Sequence, residues 1–221
     1  MATDGVTHAA PYDTVLCDVD GVLRHWPVPG HADLDRAHGL PEGTLSAAAF
    51  APARLRPAIT GEITDEQWRS AVAKDIAEVC RSRERARNLV NAWSNLEPRV
   101  DHQVATLLKN IRKVAKVALL SNATTRLERD LARQGLDALA DVVVNTARIG
   151  VAKPDARAYL IAAERLRTPV HRCLFIDDTA ANVTAARALG MTALHYRKLE
   201  DLRDVLSPLL NHPEPRTDIS G

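Results

Sequence analysis

Strands alternating with helices along residues 14–210 predict an α/β fold, a doubly wound parallel sheet with helices on both faces and an all-helical unit inserted early in the chain. Three observations carry this prediction. Short apolar runs recur at Val15 to Cys17, Val114 to Leu120 and Cys173 to Ile176, the pattern of strands buried on both faces. Segments with helical spacing and recognisable caps separate them. The runs stop abruptly at polar residues, Asp18 and Asp20, Ser121 and Asn122, Asp177 and Asp178, and in an open α/β sheet the ends of the strands face the ligand crevice.

Composition narrows the function before any motif is weighed. A chain of 221 residues that is 46% hydrophobic and 26% charged has the profile of a globular protein with a sizeable core and room for a smaller insert. Its net charge of +1 supplies no field to gather nucleic acid or an anionic membrane surface. No run approaches the roughly 20 apolar residues of a membrane span. Met1 to Ala10 lacks a basic start and an apolar core of signal length, so a cytoplasmic location is expected. Three scattered cysteines, Cys17, Cys80 and Cys173, argue against a disulfide framework.

The first strand ends in Asp18-Val19-Asp20-Gly21. Two carboxylates one residue apart lie on the same side of extended backbone and address one ligand. Gly21 then permits a sharp turn. Like charges this close raise the cost of ionising each other, and a hard divalent ion such as Mg²⁺, which takes one or two carboxylates together with phosphate and water, relieves it. A surface Asx-turn would use the same residues, and the remainder of the chain has to decide.

Arg24 to Gly30 reads as a loop, broken by Pro27, Pro29 and Gly30. His31 to about Arg99 shows helical patterning and no strand. Thr64 and Gln67 form a capping box ahead of Trp68, Val72, Ile76 and Val79, and a second helix covers Arg83 to about Asn95. The arginine-rich run 81–87 reads as a solvated helix face. Pro98 closes the insert, and a helix from about Val100 through Ile111 returns the chain to the sheet. After the strand ending at Leu120, Thr124 or Thr125 caps a helix that stops at Gly135. Asp141 to Asn145 is a third strand. Pro154 suits the first turn of the next helix, leaving Lys153 in extended backbone near its N-terminus. Cys173 to Ile176, Thr192 to His195, and helices over Thr179 to Leu189 and Leu199 to Leu210 complete the chain. The expected boundaries are 11–23 and 100–210 for the α/β core, 24–99 for the helical insert and 211–221 for a disordered tail.

Asp18/Asp20, Ser121/Asn122, Lys153 and Asp177/Asp178 thus all follow strand ends, which the topology brings to one rim. Together they supply the parts of phosphoryl transfer: a carboxylate nucleophile, an acid/base, hydroxyl and amide donors, a cation and a further acidic pair. In these four motifs the chain resembles the haloacid dehalogenase-like (HAD) hydrolases, with Asp18-Val19-Asp20-Gly21-Val22 as the first, Ser121 the second, Lys153 the third and Asp177-Asp178 the fourth. The insert resembles the family's C1 cap, and Phe175-Ile176-Asp177-Asp178 with Asn182-Val183 resembles the branch containing the phosphatase domain of soluble epoxide hydrolases.

That resemblance implies a Rossmann-like sheet, Mg²⁺ as cofactor and a covalent aspartyl-phosphate. Chemistry then assigns roles. Asp18 attacks phosphorus, Asp20 serves as acid and base, Ser121, the amide of Asn122 and Lys153 hold phosphoryl oxygens, and Lys153 offsets their charge. The resemblance adds the carboxylates of Asp18 and Asp178 and the backbone carbonyl of Asp20 as metal ligands, while Asp177 holds either Lys153 or a metal-bound water. The expected activity is hydrolysis of a small phosphorylated metabolite. The alternatives are a phosphomutase, a 2-haloacid dehalogenase-type hydrolase, against which Asp20 speaks, or a non-catalytic binding protein on the same fold. Arg24 and His25 are positioned to touch a leaving group, and Trp26, Trp68 and Trp93 are candidate substrate contacts. The sequence leaves oligomeric state open.

Overall fold

The computed structural model describes residues 11–27 and 30–211. Residues 1–10, 28–29 and 212–221 lie outside the described residues; of the tail 211–221 expected to be disordered, Asn211 is instead the last residue of a helix. Five strands, β1 (Thr14–Cys17), β4 (Lys116–Ser121), β5 (Val142–Asn145), β6 (Cys173–Asp177) and β7 (Thr192–His195), form one all-parallel sheet in the order β5-β4-β1-β6-β7. The chain steps outward from β1 to β4 and β5, then returns to β6 and β7 on the other side. The order reverses at β1, and the carboxyl ends flanking that point form the crevice.

Alternation along the buried strands divides the core between two faces. Val15 and Cys17 of β1 pack with α6 (His102–Ile111), α7 (Leu127–Arg133) and α11 (Leu199–Asn211). Leu16 points the other way, against Tyr159 and Ala162 of α9 (Ala156–Arg165) and Val183 and Ala186 of α10 (Ala180–Ala188). Both faces are therefore dry, which is why these strands read as unbroken apolar runs. No helix among the described residues is long and apolar enough to cross a membrane.

Between β1 and α6 the described residues build five helices, α1 (Gly30–Ala37), α2 (Thr44–Ala49), α3 (Pro52–Ile59), α4 (Asp65–Asp75) and α5 (Arg83–Ser94). They enclose a core of their own around Leu45, Trp68, Val72, Ile76, Leu89 and Trp93. The Thr64 hydroxyl accepts from Gln67 N, and the Gln67 side chain accepts from Thr64 N, the reciprocal capping box read from the sequence. Helix α4 stops at Asp75 rather than running to Val79, whose side chain is exposed.

Four local expectations are corrected. Arg24–His25 is not loop but a two-residue strand, β2, antiparallel to β3 (Arg99–Val100), so Val100 belongs to a ribbon and Asp101 caps α6 by accepting from Gln103 N and Val104 N. Two residues carry no periodicity, and only the pairing makes them a strand. Neither Thr124 nor Thr125 caps α7, whose N-cap position, Arg126, has no side-chain cap. Pro154 lies outside α9, which Asp155 caps. Lys153 consequently sits in a turn, not in extended backbone. A short helix, α8 (Thr146–Ile149), follows β5 without a clear signal in the sequence.

Two contacts close the insert over the sheet. A Cβ built on Gly61, at φ +75°, falls 2.0 Å from the carbonyl oxygen of Ala147 in α8, so only glycine allows this approach. Asp65, at the start of α4, accepts from the Thr124 hydroxyl at 2.8 Å, and its backbone N–H donates to Thr125 Oγ1 at 3.0 Å. The two threonines expected to cap a helix instead tie the loop after β4 to the insert.

Candidate active site

Asp18 directly follows β1, Ser121 ends β4 and Asp177 ends β6, so sheet register alone brings them to one rim. Lys153 reaches the same place from the turn before α9. Its Nζ lies 2.6 Å from Asp177 Oδ2 and 3.0 Å from Asp18 Oδ1, and donates to the Leu120 carbonyl at 2.9 Å. The lysine is buried, and three oxygens satisfy its three donors. Burial alone would lower its pKa, but Asp18 and Asp177 outweigh that and raise it, so the ammonium stays charged.

Asp177 is saturated. Oδ1 accepts from Thr179 N at 2.7 Å and Oδ2 from Lys153, while Asn182 Nδ2 donates to both oxygens at 3.1 Å. Asp18 is less committed. Its Oδ1 accepts from Val19 N at 2.7 Å and faces Lys153. Burial pushes its carboxyl up to about 7, with Lys153 pulling it down and Asp177 pushing it further up. Asp178 is exposed, and among the described residues only the Thr179 hydroxyl, at 3.3 Å, bonds its carboxylate.

Oxygens of Asp18, Asp177 and Asp178 lie within 4.8 Å of one another. Three carboxylates against one ammonium leave this cluster two negative charges in excess. That imbalance, oxygen-only donors and the open oxygens of Asp18, whose Oδ1 alone is engaged, and of exposed Asp178 fit a hard divalent cation. Gly21 makes the cluster possible: its φ is +89°, and a Cβ there would lie 2.0 Å from Asp178 Oδ2.

Asp20 stands apart from the acidic cluster. Arg24 Nε donates to its Oδ1 at 2.7 Å, Arg24 Nη2 to Oδ2 at 3.3 Å and Trp26 Nε1 to Oδ1 at 2.9 Å. Arg24 is nearly fully buried and its Nη1 also donates to Gln134, so it is a strut for Asp20 rather than a free group awaiting a leaving group. His25 lies 3.9 Å from Asp101 Oδ2. Asn122 has a function the sequence reading did not contain. Its side chain accepts from Lys153 N and donates to Lys153 O, both at 2.8 Å, clamping the turn that carries the lysine. Asn182, quoted in the sequence only as part of a resemblance, likewise orients Asp177. Both are short polar side chains reaching across sequence gaps, and nothing local marks them.

Above the rim, a cavity of about 310 Å³ runs from Asp20 and Asn122 up to Trp68 and Trp93 of the insert, with Trp26 also in its wall. The structure therefore brings together Asp18, Ser121, Asn122, Lys153, Asp177 and Asp178 at the rim, and sets Asp20 apart in the wall of the cavity that the three tryptophans also line.

A family model described as haloacid dehalogenase-like hydrolase matches residues 12–190. Among curated proteins, a drimenol cyclase of Aspergillus calidoustus is 24% identical over 212 residues, 91% of this chain and 37% of that protein. A phosphatase of Mycobacterium tuberculosis is 39% identical over 95 residues, 42% of this chain and 44% of that protein. The chain thus matches less than half the length of each of these relatives. A HAD family enzyme of Bacteroides thetaiotaomicron, solved in complex with magnesium and inorganic phosphate, shares the fold with a TM-score of 0.68 at 18% identity, over 86% of this chain and 98% of that one. L-2-haloacid dehalogenase of Xanthobacter autotrophicus does so at 0.60 and 20%, over 93% and 90%. Sheet order, polar strand ends and a family match across most of the sequence agree, and the chain belongs to the haloacid dehalogenase-like hydrolases.

Proposed function

We propose that the protein is a Mg²⁺-dependent phosphatase that hydrolyses a small phosphomonoester through an aspartyl-phosphate on Asp18. The observation that carries this reading is the arrangement of Asp18 between a buried ammonium and an open acidic rim, with a second aspartate, Asp20, held separately at the mouth of a cavity. Asp18 and Asp178 are the carboxylates free to hold the metal, with the backbone carbonyl of Asp20 as a third ligand by family resemblance. Asp177 has no lone pair to spare and serves Lys153 instead. When bound, the cation would neutralise the rim and draw electron density from phosphoryl oxygens.

In the first step an Asp18 carboxylate oxygen attacks phosphorus, the bond from phosphorus to the ester oxygen breaks, and Asp20 gives its proton to the departing alkoxide. Asp20 next takes a proton from water, whose oxygen attacks phosphorus and releases Asp18 with inorganic phosphate. Lys153, the Ser121 hydroxyl and the Asn122 amide stabilise the equatorial oxygens in both steps. Arg24 and Trp26 keep Asp20 aimed at the cavity, where the leaving alcohol resides. Asp20 also distinguishes this reading from halide displacement, in which the leaving halide needs no proton.

Purified protein should hydrolyse a generic aryl phosphate with Mg²⁺ and lose that activity with EDTA. No release of phosphate from any of a panel of phosphorylated metabolites, in the presence of Mg²⁺, would count against the reading.

A further inference from the structure

We propose that His195 is a positioning residue for the metal site: through the Asp178 backbone carbonyl it sets where the Asp178 carboxylate meets the cation. This rests on the metal-dependent reading above, in which Asp178 is a ligand.

The sheet runs out of backbone donors where Asp178 begins. β7 is the edge strand beside β6, and the register pairs His195 with Asp177. Tyr196 N donates to the Asp177 carbonyl at 2.9 Å. One residue later the chain has left the sheet for α10, and a side chain takes over: His195 Nε2 lies 2.9 Å from the Asp178 carbonyl oxygen. No other hydrogen bond reaches that oxygen among the described residues. Two adjacent residues of β7 thus hold the two carbonyls of Asp177-Asp178, Tyr196 by its backbone and His195 by its ring.

Register explains why the ring arrives there. Side chains alternate along a strand, and paired residues of parallel neighbours share a face. Phe175 and Ala193 lie in the core beneath α9 and α10, whereas Ile176 and Leu194 pack on the opposite face. Asp177 and His195 come next and return to the α10 side. The half-buried ring therefore rises where the chain turns into that helix. A carbonyl only accepts, so Nε2 carries the proton, and the ring donates whether it is neutral or charged.

Asp178 depends on this support. Its carboxylate has only the Thr179 hydroxyl as a partner among the described residues, and Thr179 N is already given to Asp177 Oδ1 at 2.7 Å. With so little holding the side chain itself, the orientation of the backbone decides where its oxygens fall. On the Gly21 side there is no slack, because a Cβ built there lies 2.0 Å from Asp178 Oδ2. Groups that orient a ligand carry part of the affinity for its metal.

Mn²⁺ is the probe. The electron paramagnetic resonance signal of free aqueous Mn²⁺, titrated into the resting protein without substrate, gives a Kd that involves no turnover, and Mg²⁺ should displace the bound ion. His195→Phe keeps a ring and removes the donor, and should raise the Kd for Mn²⁺ roughly 10-fold or more, the range for losing a group that orients a ligand. His195→Gln, whose amide nitrogen reaches the place of the imidazole Nε2, should restore most of the wild-type affinity. His195→Asn carries its amide nearer the place of Nδ1 and should bind as weakly as His195→Phe. Being polar at a half-buried strand end, it guards against a phenylalanine variant that fails to fold.

A general loosening of β7 would weaken all three variants alike, whereas loss of the donor alone spares His195→Gln. Equal Kd values in the Gln, Phe and Asn variants, whether near the wild type or weakened together, would overturn the proposal, as would a wild type that binds no Mn²⁺. Phosphate release measured on the same preparations separates the two readings. Mn²⁺ binding that follows the donor, in a protein that hydrolyses no phosphate ester, would retain the role of His195 and overturn the phosphatase reading. Hydrolysis accompanied by Mn²⁺ binding indifferent to the donor would overturn the His195 proposal alone.

Discussion

Lys153 Nζ lies 2.6 Å from Asp177 Oδ2, closer than to any other carboxylate, and that contact divides the acidic rim into a structural member and two open ones. Asp177 spends its oxygens on Lys153, Thr179 and Asn182, leaving Asp18 and Asp178 for ligands. Asp177→Asn should therefore act first on stability. It strips a buried ammonium of its nearest counter-charge while leaving Asp18, so a loss near the low end of the range for broken buried pairs, about 3 kcal/mol, is expected. Urea unfolding measures it, and a loss below about 1 kcal/mol would contradict the assignment.

Gly21→Ala tests the close approach that shapes the rim. The new methyl would fall on the Asp178 carboxylate, and the backbone would be held at a φ that alanine disfavours. The apparent Mg²⁺ affinity, read from titration of activity, should weaken by roughly 10- to 100-fold, the range seen when groups that orient a metal ligand are disturbed. Unchanged Mg²⁺ dependence would remove Asp178 from the metal site.

The insert offers an independent test at Gly61. Its Cβ would meet backbone, the Ala147 carbonyl, and backbone cannot rotate away as a side-chain tip can. Gly61→Ala should hold the insert off α8 while leaving its own core intact. Faster hydrogen exchange at the start of α4, beside Asp65, together with a lower kcat/KM is the expected outcome. Wild-type exchange at that helix would show that the contact does not govern closure.

His31 links the insert to pH. Burial lowers its pKa, Asp35 raises it and Arg69 lowers it, with the net direction downward. The folded state thus favours the neutral ring, and the unfolded chain binds the extra proton as pH falls through about 6.5. Stability should decline from there until the folded-state value is passed. His31→Gln should lose less in Tm than the wild type between about pH 7 and about pH 5.5. Equal losses would place the acid sensitivity elsewhere.

The sheet and the rim were legible in the sequence for a physical reason: a parallel strand buried on both faces must be apolar throughout, so Asp18, Ser121 and Asp177 mark strand ends by contrast with what precedes them. The capping box at Thr64 was legible because both of its partners are local. What escaped depends on distant partners. Arg24 is a plausible leaving-group contact until its hydrogen bonds to Asp20 and Gln134 are seen. Thr124 and Thr125 have the composition of a cap, yet Asp65, some sixty residues away in the chain, claims both. Asn122 was read for its backbone amide, whereas its side chain clamps Lys153. The ribbon of β2 and β3 is too short for any pattern to announce it.

The central claim is that Asp18 forms the bond to phosphorus. Its direct test is steady-state hydrolysis of an aryl phosphate in saturating Mg²⁺ by the wild type and by Asp18→Asn, with circular dichroism and thermal melts confirming that both are folded. The account requires turnover by the wild type and a loss of roughly 10³-fold or more in the folded variant. An Asp18→Asn protein that turns over at the wild-type rate would contradict it.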